Sequence, residues 1–248
     1  MLRTMLLRAR HFPASVVHGF STREGGVSVG AYASMNLGLR WGDEPEAVRE
    51  NLRRLAAAGH FAAERLVRVQ QVHGDAILAA HEVDASSEAD AIWRHREHPG
   101  EHVLGVLTAD CVPVLLVDRQ GHACAAIHSG WRGTVAEIAA KTATLMCERA
   151  GIAPEDLFAA IGPCIEVDAF EVGFEVAEQF DPAFVQRQPD RKPHVDLVAA
   201  VRAQLERVGV PSQQIERVGA CTHANPQSFF SYRRAGAGQG QHLAFIGL

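Results

Sequence analysis

Two histidines and one cysteine lie where predicted strands end. Gly74 follows His73 and lets the backbone turn, while His128 ends an apolar run before a glycine-rich turn. Cys111 belongs to a polar segment between two apolar runs, and such an interruption costs burial energy unless its groups are paired or used. Two imidazoles and a thiolate suit zinc, with a fourth position open for water or substrate. Taken singly, Cys111 also fits a small buried core residue, and His73 or His128 fits a hydrogen-bonded histidine in a turn.

Arg132 lies in the glycine-rich turn after His128, just before a predicted helix. The N-terminus of a helix with such an approach favours anions, so this turn is a candidate phosphate site. An ordinary surface arginine beside a helix start fits the local sequence equally well.

The strands that must carry these residues are predicted from apolar periodicity. Residues 66–72 alternate between apolar and polar, which is typical of a strand with one wet face. Continuous apolar runs predict strands covered on both faces, and Pro113 places a strand start or a distortion in one of them. These runs are residues 103–107, 112–117, 123–127 and 157–161.

Three helices are predicted from their start and stop signals. Capping residues at Asp43, Thr134 and Asp196 precede amphipathic segments that end near glycines. Together with the buried strands they indicate an α/β or α+β domain of several layers.

The most polar stretch, residues 82–101, is predicted to be an exposed surface excursion. His95, His98 and the nearby His102 are accordingly interpreted as solvated. Cys124, in an apolar strand, and Cys147, in a helix, are interpreted as core residues.

Composition excludes several classes of protein. A net charge of −5 gives no general attraction to nucleic acid or to an anionic membrane. No apolar run reaches the length of a membrane span, and residues 1–10 lack the apolar core of a signal peptide. Five scattered cysteines favour a reducing compartment, so a cytoplasmic enzyme is expected.

Seven segments in a fixed order resemble the laccase-domain family, also called multicopper polyphenol oxidase-like proteins and, more recently, purine nucleoside phosphorylases. The match spans nearly the whole chain, and the order of the motifs is more specific than any one of them. The segments are HGFSTREGGVS from His18, SMNLG from Ser34, QVHG from Gln71, TADCVP from Thr108, HSGWRGT from His128, IGPC from Ile161 and FFSYRR from Phe229.

The resemblance implies an α/β (α+β) fold, a single-domain layered sandwich of mixed β-sheets covered by helices, over residues 1–248. It implies zinc held by His73, Cys111 and His128, with copper as an alternative metal. It also implies phosphorolysis of adenosine, inosine and S-methyl-5'-thioadenosine, and deamination of adenosine. In deamination, zinc would activate water for attack on the purine C6, and Asp110 or Asp75 would move protons. The expected partners are purine nucleosides and phosphate; the oligomeric state stays open.

The expected phosphate ligands are Arg23, Arg132 and Arg233, and Asn36 and Asp75 are further candidates for substrate binding. The chain departs from the family near its end, where Gln239-Gly240-Gln241 replaces an expected Thr-Gly-Arg and Ala235 an expected Asp. Loss of that arginine is expected to weaken phosphate binding or to change substrate preference.

Three other functions use the same residues. One is a Cys-His hydrolase or amidase acting on cell-wall precursors, with Cys111 as nucleophile and His128 as base. Another is a copper-dependent polyphenol oxidase, although the His-x-His pairs expected for a trinuclear cluster are absent from the sequence. The last is a metal-binding module without catalytic activity.

Overall fold

Two large β-sheets pack face to face in the computed structural model, which describes residues 4–248. Residues 1–3, part of the segment judged not to be a signal peptide, lie outside the described residues. The strands are β1 Leu6–Leu7, β2 Val17–Ser21, β3 Leu66–Val67, β4 Ile77–Ala79, β5 Ala91–His95, β6 Val103–Thr108, β7 Val112–Asp118, β8 Ala123–Ser129, β9 Leu157–Ile161, β10 Val185–Gln186, β11 His194–Val195, β12 Ile215–Arg217 and β13 His242–Gly247.

The two large sheets are mixed. One has the order β1-β2-β13-β6-β3, with β3 parallel to β6 and the other pairs antiparallel. The other has the order β12-β9-β7-β8-β5-β4, with parallel pairs at both edges. β10 and β11 form a separate antiparallel pair. The α-helices are α1 Pro45–Gly59, α2 Trp131–Val135, α3 Ile138–Ala150, α4 Phe174–Ala177, α5 Leu197–Arg207 and α6 Tyr232–Ala235.

Alternation along single strands builds the layers. In β13, Ala244 and Ile246 pack between the two sheets, whereas Leu243 and Phe245 pack against α1 on the outer face. In β7, Leu115 also lies between the sheets, and its neighbour Leu116 packs toward α3 and α5. The result is the predicted layered α+β sandwich, with helices covering both outer faces.

Four of the five predicted strands are confirmed, as β6 to β9. The fifth, predicted over residues 66–72, is wrong beyond Val67. There the side chain of Gln71, instead of its backbone, forms the hydrogen bonds to β6. The carboxamide of Gln71 donates to the carbonyl of Leu107 at 2.8 Å and accepts from its N–H at 2.7 Å. This side-chain pairing replaces a regular ladder on β6 and frees the chain to turn at His73.

The helix predicted at Asp196 is confirmed, since its carboxylate accepts from the N–H of Ala199 at 2.8 Å. The capping box predicted at Thr134 is wrong. Thr134 lies inside the short α2, and its hydroxyl donates to the carbonyl of Gly130. A left-handed residue, Glu137 at φ 61°, then separates α2 from α3. The glycine-rich turn therefore leads into α2, which begins at Trp131.

The exposed excursion predicted over residues 82–101 is confirmed at its mostly exposed ends and wrong at its centre, where residues 89–94 are buried. Its centre is β5, which lies between β8 and β4 and is almost wholly buried. Asp90, just before β5, is fully buried, and His98 is partly buried against Trp93 at a ring-centroid distance of 4.8 Å. The apolar run at 91–93 is too short to stand out among polar neighbours, and its partner β8 is distant in sequence.

All five cysteines are free. Cys124 lies in the core, as predicted, and Cys147 is half-buried against it. Along residues 4–248, no helix has both the length and the apolar character needed to span a membrane.

Candidate functional site

His73, Cys111 and His128 meet at one point. The register of β7 and β8 pairs Pro113 with His128, which places Cys111, just before β7, beside that imidazole. His73 reaches the same point from its turn, where its backbone adopts φ 60°. One nitrogen or sulfur ligand atom from each residue lies within 4.8 Å of the others, and no other group of this kind occurs in the described part of the chain.

Asp90 connects the two histidines. One carboxylate oxygen accepts from Nδ1 of His128 at 2.7 Å and from the N–H of His73 at 3.1 Å. The other accepts from the N–H of Gly74 at 2.6 Å and of Val72 at 3.3 Å. The bond to Nδ1 leaves Nε2 of His128 as the atom that can ligate a metal, because the partner of one ring nitrogen sets the role of the other.

The half-buried thiol of Cys111 lies in an environment that favours its ionised form. Burial, the largest influence, favours the neutral thiol, but charge and hydrogen bonds from His128 and His73 together lower the pKa of Cys111 to about 6. Burial also opposes charge on His128, yet Cys111 and Asp90 raise the pKa of His128 to about 9. A thiolate is the form of cysteine that binds metals and acts as a nucleophile.

Gly130 leaves the space that this cluster needs. A Cβ atom at residue 130 would lie 3.0 Å from Cδ2 of His73 and 3.3 Å from Sγ of Cys111. Any side chain there would press on two of the three ligands. The donor set, the thiolate character of Cys111 and the close backbone approach at Gly130 fit a single metal ion of the zinc type.

Asp110 stands next to Cys111 with its carboxylate buried. It accepts from the hydroxyl groups of Thr222 at 2.5 Å and Ser231 at 3.0 Å, and from the N–H of Arg233 at 2.6 Å. Its own backbone is in the left-handed region at φ 96°. These bonds occupy both oxygens and tie the start of α6 to the Cys111 turn.

The cluster opens into a cavity of about 530 Å³, within the range of small-molecule sites. Arg132 and Arg233 line it, as does Arg40, which sequence reasoning missed. Arg132 stacks over Trp131 at 4.3 Å, and Arg233 lies over Phe170 at 5.3 Å. None of the three arginines forms an ion pair with an acid of residues 4–248. Nη1 of Arg233 donates to the carbonyls of Ala169 at 3.3 Å and Glu171 at 2.7 Å, but these neutral partners leave its charge uncompensated. The wall therefore carries positive charge toward an anion in the cavity.

Three other predicted substrate residues lie outside the cavity lining. Arg23 donates to the carbonyls of Ala33 and Pro226. The carboxylate of Asp75 pairs with Lys141 on α3. The contacts of Arg23 and Asp75 are therefore structural.

Asn36 is buried and supports the cavity from behind. Its carboxamide donates to Asp43 and to the carbonyl of Gly38, each at 2.8 Å, and accepts from the N–H of Gln241 at 2.8 Å. Gln241, where the resemblance led us to expect an arginine, lines the cavity. Gln239 is buried instead, with no hydrogen-bond partner for its Nε2 within residues 4–248.

Sequence reasoning also missed Asp90 and the aromatic pair Trp41 and Tyr232. Trp41 and Tyr232 stack at 5.8 Å and line the cavity although they are 191 positions apart in the chain. The available signal for Asp90 was a single acidic residue directly before the apolar run 91–93. No local signal marked the aromatic pair, because Trp41 lies in a turn before α1 and Tyr232 begins α6 near the other end of the chain.

The fold and this cluster define a layered α+β protein with a His-Cys-His group, suited to one metal ion, at the wall of a cationic and aromatic cavity. Residues 17–248 match the family described as multi-copper polyphenol oxidoreductase laccase. The chain belongs to that family, which confirms the resemblance seen in its motifs.

Named relatives cover nearly the full chain. A purine nucleoside phosphorylase of Deinococcus radiodurans is 41% identical over 246 residues, 98% of this chain and 92% of that protein. A protein named adenosine deaminase RL5, from an unknown prokaryotic organism, is 38% identical over 248 residues and 93% of both chains. The crystal structure of YlmD from Geobacillus stearothermophilus has a TM-score of 0.89 at 33% identity and covers 100% of this chain and 97% of its own. The chain is therefore similar over nearly its whole length to proteins named as enzymes of purine nucleosides.

Proposed function

We propose that this protein is a zinc-dependent purine nucleoside phosphorylase that also deaminates adenosine. The observation that carries the proposal is the opening of the His73–Cys111–His128 cluster into one cavity with unpaired arginines and aromatic walls. The proposed substrates are adenosine, inosine and S-methyl-5'-thioadenosine with phosphate, acted on by one catalytic domain in the cytoplasm. One relative named purine nucleoside phosphorylase and another named adenosine deaminase support the two proposed activities.

In phosphorolysis, an oxygen of phosphate attacks C1′ of the ribose while the bond from C1′ to the purine nitrogen breaks. Arg132 and Arg233 are the proposed phosphate ligands, because both guanidinium groups line the cavity and lack an acidic partner. They would hold the phosphate in position and stabilise charge in the transition state. Arg40 is a further candidate on the same grounds. Aromatic faces such as that of Trp131 suit a planar base.

Zinc bound to His73, Cys111 and His128 would supply Lewis-acid polarisation of a substrate or water oxygen. The role of this chain is to hold the ligands: Asp90 orients His128 and the His73 turn, and Gly130 leaves them room. In deamination, the oxygen of water bonds to C6 of the purine. The amino group takes up a proton released by that water, the C6–N bond breaks, and ammonia leaves. Asp110 lines the cavity, but its carboxylate already accepts three hydrogen bonds, so we propose that it positions Cys111 and Arg233.

The test is to incubate the purified, zinc-loaded protein with adenosine and phosphate. Adenine and ribose 1-phosphate are the expected products of phosphorolysis, and inosine is the expected product of deamination. His73→Ala is the inactive control, and Asp75→Ala, next to the same turn but outside the cavity lining, is the matched active control. Product formation no higher than that of His73→Ala would overturn the proposal.

The Cys111–His128 hydrogen bond and the lowered pKa of Cys111 also favour a second candidate, a Cys-His hydrolase. Metal analysis separates the two. Stoichiometric zinc that is lost in Cys111→Ala supports the metalloenzyme. Metal-free protein that hydrolyses an amide and loses this activity on alkylation of Cys111 supports the hydrolase. Visible absorption of copper-loaded protein tests the polyphenol oxidase.

A further inference from the structure

A buried guanidinium without an acidic partner lies away from the cavity. Arg94, on β5, is only 5% exposed. Its Nη1 donates to the carbonyl of His102 at 3.2 Å, while its buried Nε has no hydrogen-bond partner among the described residues. An unpaired charge that is withdrawn from water is costly, so this position calls for a negative counterpart.

Histidines lie near Arg94. The rings of His81 and His98 lie 4.4 Å apart, and Nδ1 of His102 is buried without a partner in residues 4–248. Burial is the largest influence that lowers the pKa of His98, followed by the charges of His81, His95 and Arg94. Burial also lowers the pKa of His102 most, followed by the charges of Arg94, His81 and Arg65.

The neighbouring acids are engaged elsewhere. Glu101 pairs with Arg65 at 3.6 Å, and Glu97 pairs with His95 at 3.7 Å. Glu82 accepts from the N–H of Ala79 at 3.3 Å, and its charge only partly offsets the positive groups that act on His98. No carboxylate of the described chain forms an ion pair with Arg94, so the guanidinium has no direct acidic partner.

We propose that Arg94, His98 and His102 form a binding site for a phosphate-class oxyanion, separate from the catalytic cavity. The planar fork of arginine matches the oxygens of phosphate, and ring N–H groups of the histidines add further donors. Such an anion would satisfy both the buried Nε of Arg94 and the buried Nδ1 of His102. None of these three residues lines the cavity around His73.

The site is tested by ligand-dependent stability, using inorganic phosphate as the probe and acetate at equal ionic strength as the control. A ligand that binds only the folded state raises the melting temperature, and at a hundred times its Kd the rise is roughly 5 °C or more for a chain of this size. We expect this rise to be markedly smaller in Arg94→Met than in the wild type. Arg187→Met, an exposed arginine outside the cavity lining, is the matched control and keeps the full rise.

Phosphate is also the proposed co-substrate, so the comparison is repeated in an Arg132→Ala background. The Arg94-dependent part of the rise should persist there, whatever happens to catalysis. An identical phosphate-dependent rise in Arg94→Met and wild type would overturn the proposal, as would an equal rise with acetate. If Arg94→Met does not fold, His98→Gln replaces it, and an undiminished rise in that variant has the same meaning.

A final arm replaces phosphate with glycerol phosphate. If the Arg94-dependent rise in melting temperature is larger with glycerol phosphate than with inorganic phosphate, the site binds the phosphoryl group of a small metabolite. If it is smaller, the site binds free phosphate.

Discussion

Asp90 accepts a hydrogen bond from Nδ1 of His128 at 2.7 Å, and its two carboxylate oxygens also hold the backbone of the turn that carries His73. One fully buried acid thus fixes two of the three candidate metal ligands. It acts through them and is a positioning residue.

Asp90→Asn should lower zinc affinity about 10- to 100-fold, the usual cost of losing a partner that orients a ligand. The amide NH₂ group replaces an acceptor where N–H donors point, so the mismatch affects both the imidazole and the turn. Zinc competition with a chromogenic chelator measures the change. Asp75→Asn, at an exposed acid of the same turn, is the control, and equal affinity in the two variants would refute the role of Asp90.

Gly130→Ala should remove most of the zinc while leaving the fold intact. The new Cβ would come within 3.0 Å of the His73 ring, although the backbone at Gly130, with φ −71°, accepts alanine without strain. Gly74→Ala is the matched control, because its Cβ would meet nothing closer than 3.6 Å. Bound zinc per chain and far-UV circular dichroism are the measurements. Normal zinc content in Gly130→Ala would contradict the crowding argument.

Asp110→Asn should lower the free energy of unfolding by about 1–3 kcal/mol, since a buried acceptor for three donors is weakened. Denaturant unfolding measures this loss, with the exposed Asp168→Asn as control. If Asp110 instead moves protons, its replacement would abolish deamination with unchanged stability. That result would favour the proton-shuttle hypothesis over the positioning role.

Metal-free protein should alkylate fastest at Cys111. Because the pKa of Cys111 is lowered to about 6, its rate should stay high near neutral pH and fall as pH drops through about 6. Burial raises the pKa of Cys124 and Cys164 to about 12, so these thiols should stay unmodified. Mass spectrometry after iodoacetamide treatment measures the sites. His128→Ala should move the midpoint to higher pH, and an unmoved midpoint would contradict the pairing.

Arg132→Ala should raise the KM for phosphate by roughly 10- to 100-fold, which corresponds to loss of a charge-assisted hydrogen bond of about 1.5–3 kcal/mol. The KM for nucleoside should change little, because the base contacts remain. Initial rates at varied phosphate give the value, with Arg187→Ala as control. A KM for phosphate equal to that of the control would remove Arg132 from the proposed site.

The amino-acid sequence determined the buried strands, the helix start at Asp196 and, through ordered motifs, the family and its candidate ligands. The strands and the helix start follow from local periodicity and capping residues, and the candidate ligands follow from residue types that can bind a metal. β6 to β9 were predicted because each is a continuous apolar run, and Cys111 because a polar segment interrupts such runs.

Only the tertiary structure decided which residues surround the ligands. Asp90 meets His128 because β5 pairs with β8, and that pairing depends on register between segments nearly 40 residues apart. Arg23 carries the right charge for phosphate, yet its guanidinium binds local carbonyls, while Arg40 lines the cavity without any motif to mark it. Charge and spacing along a chain specify what a side chain can bind; the packing of distant strands specifies what it reaches.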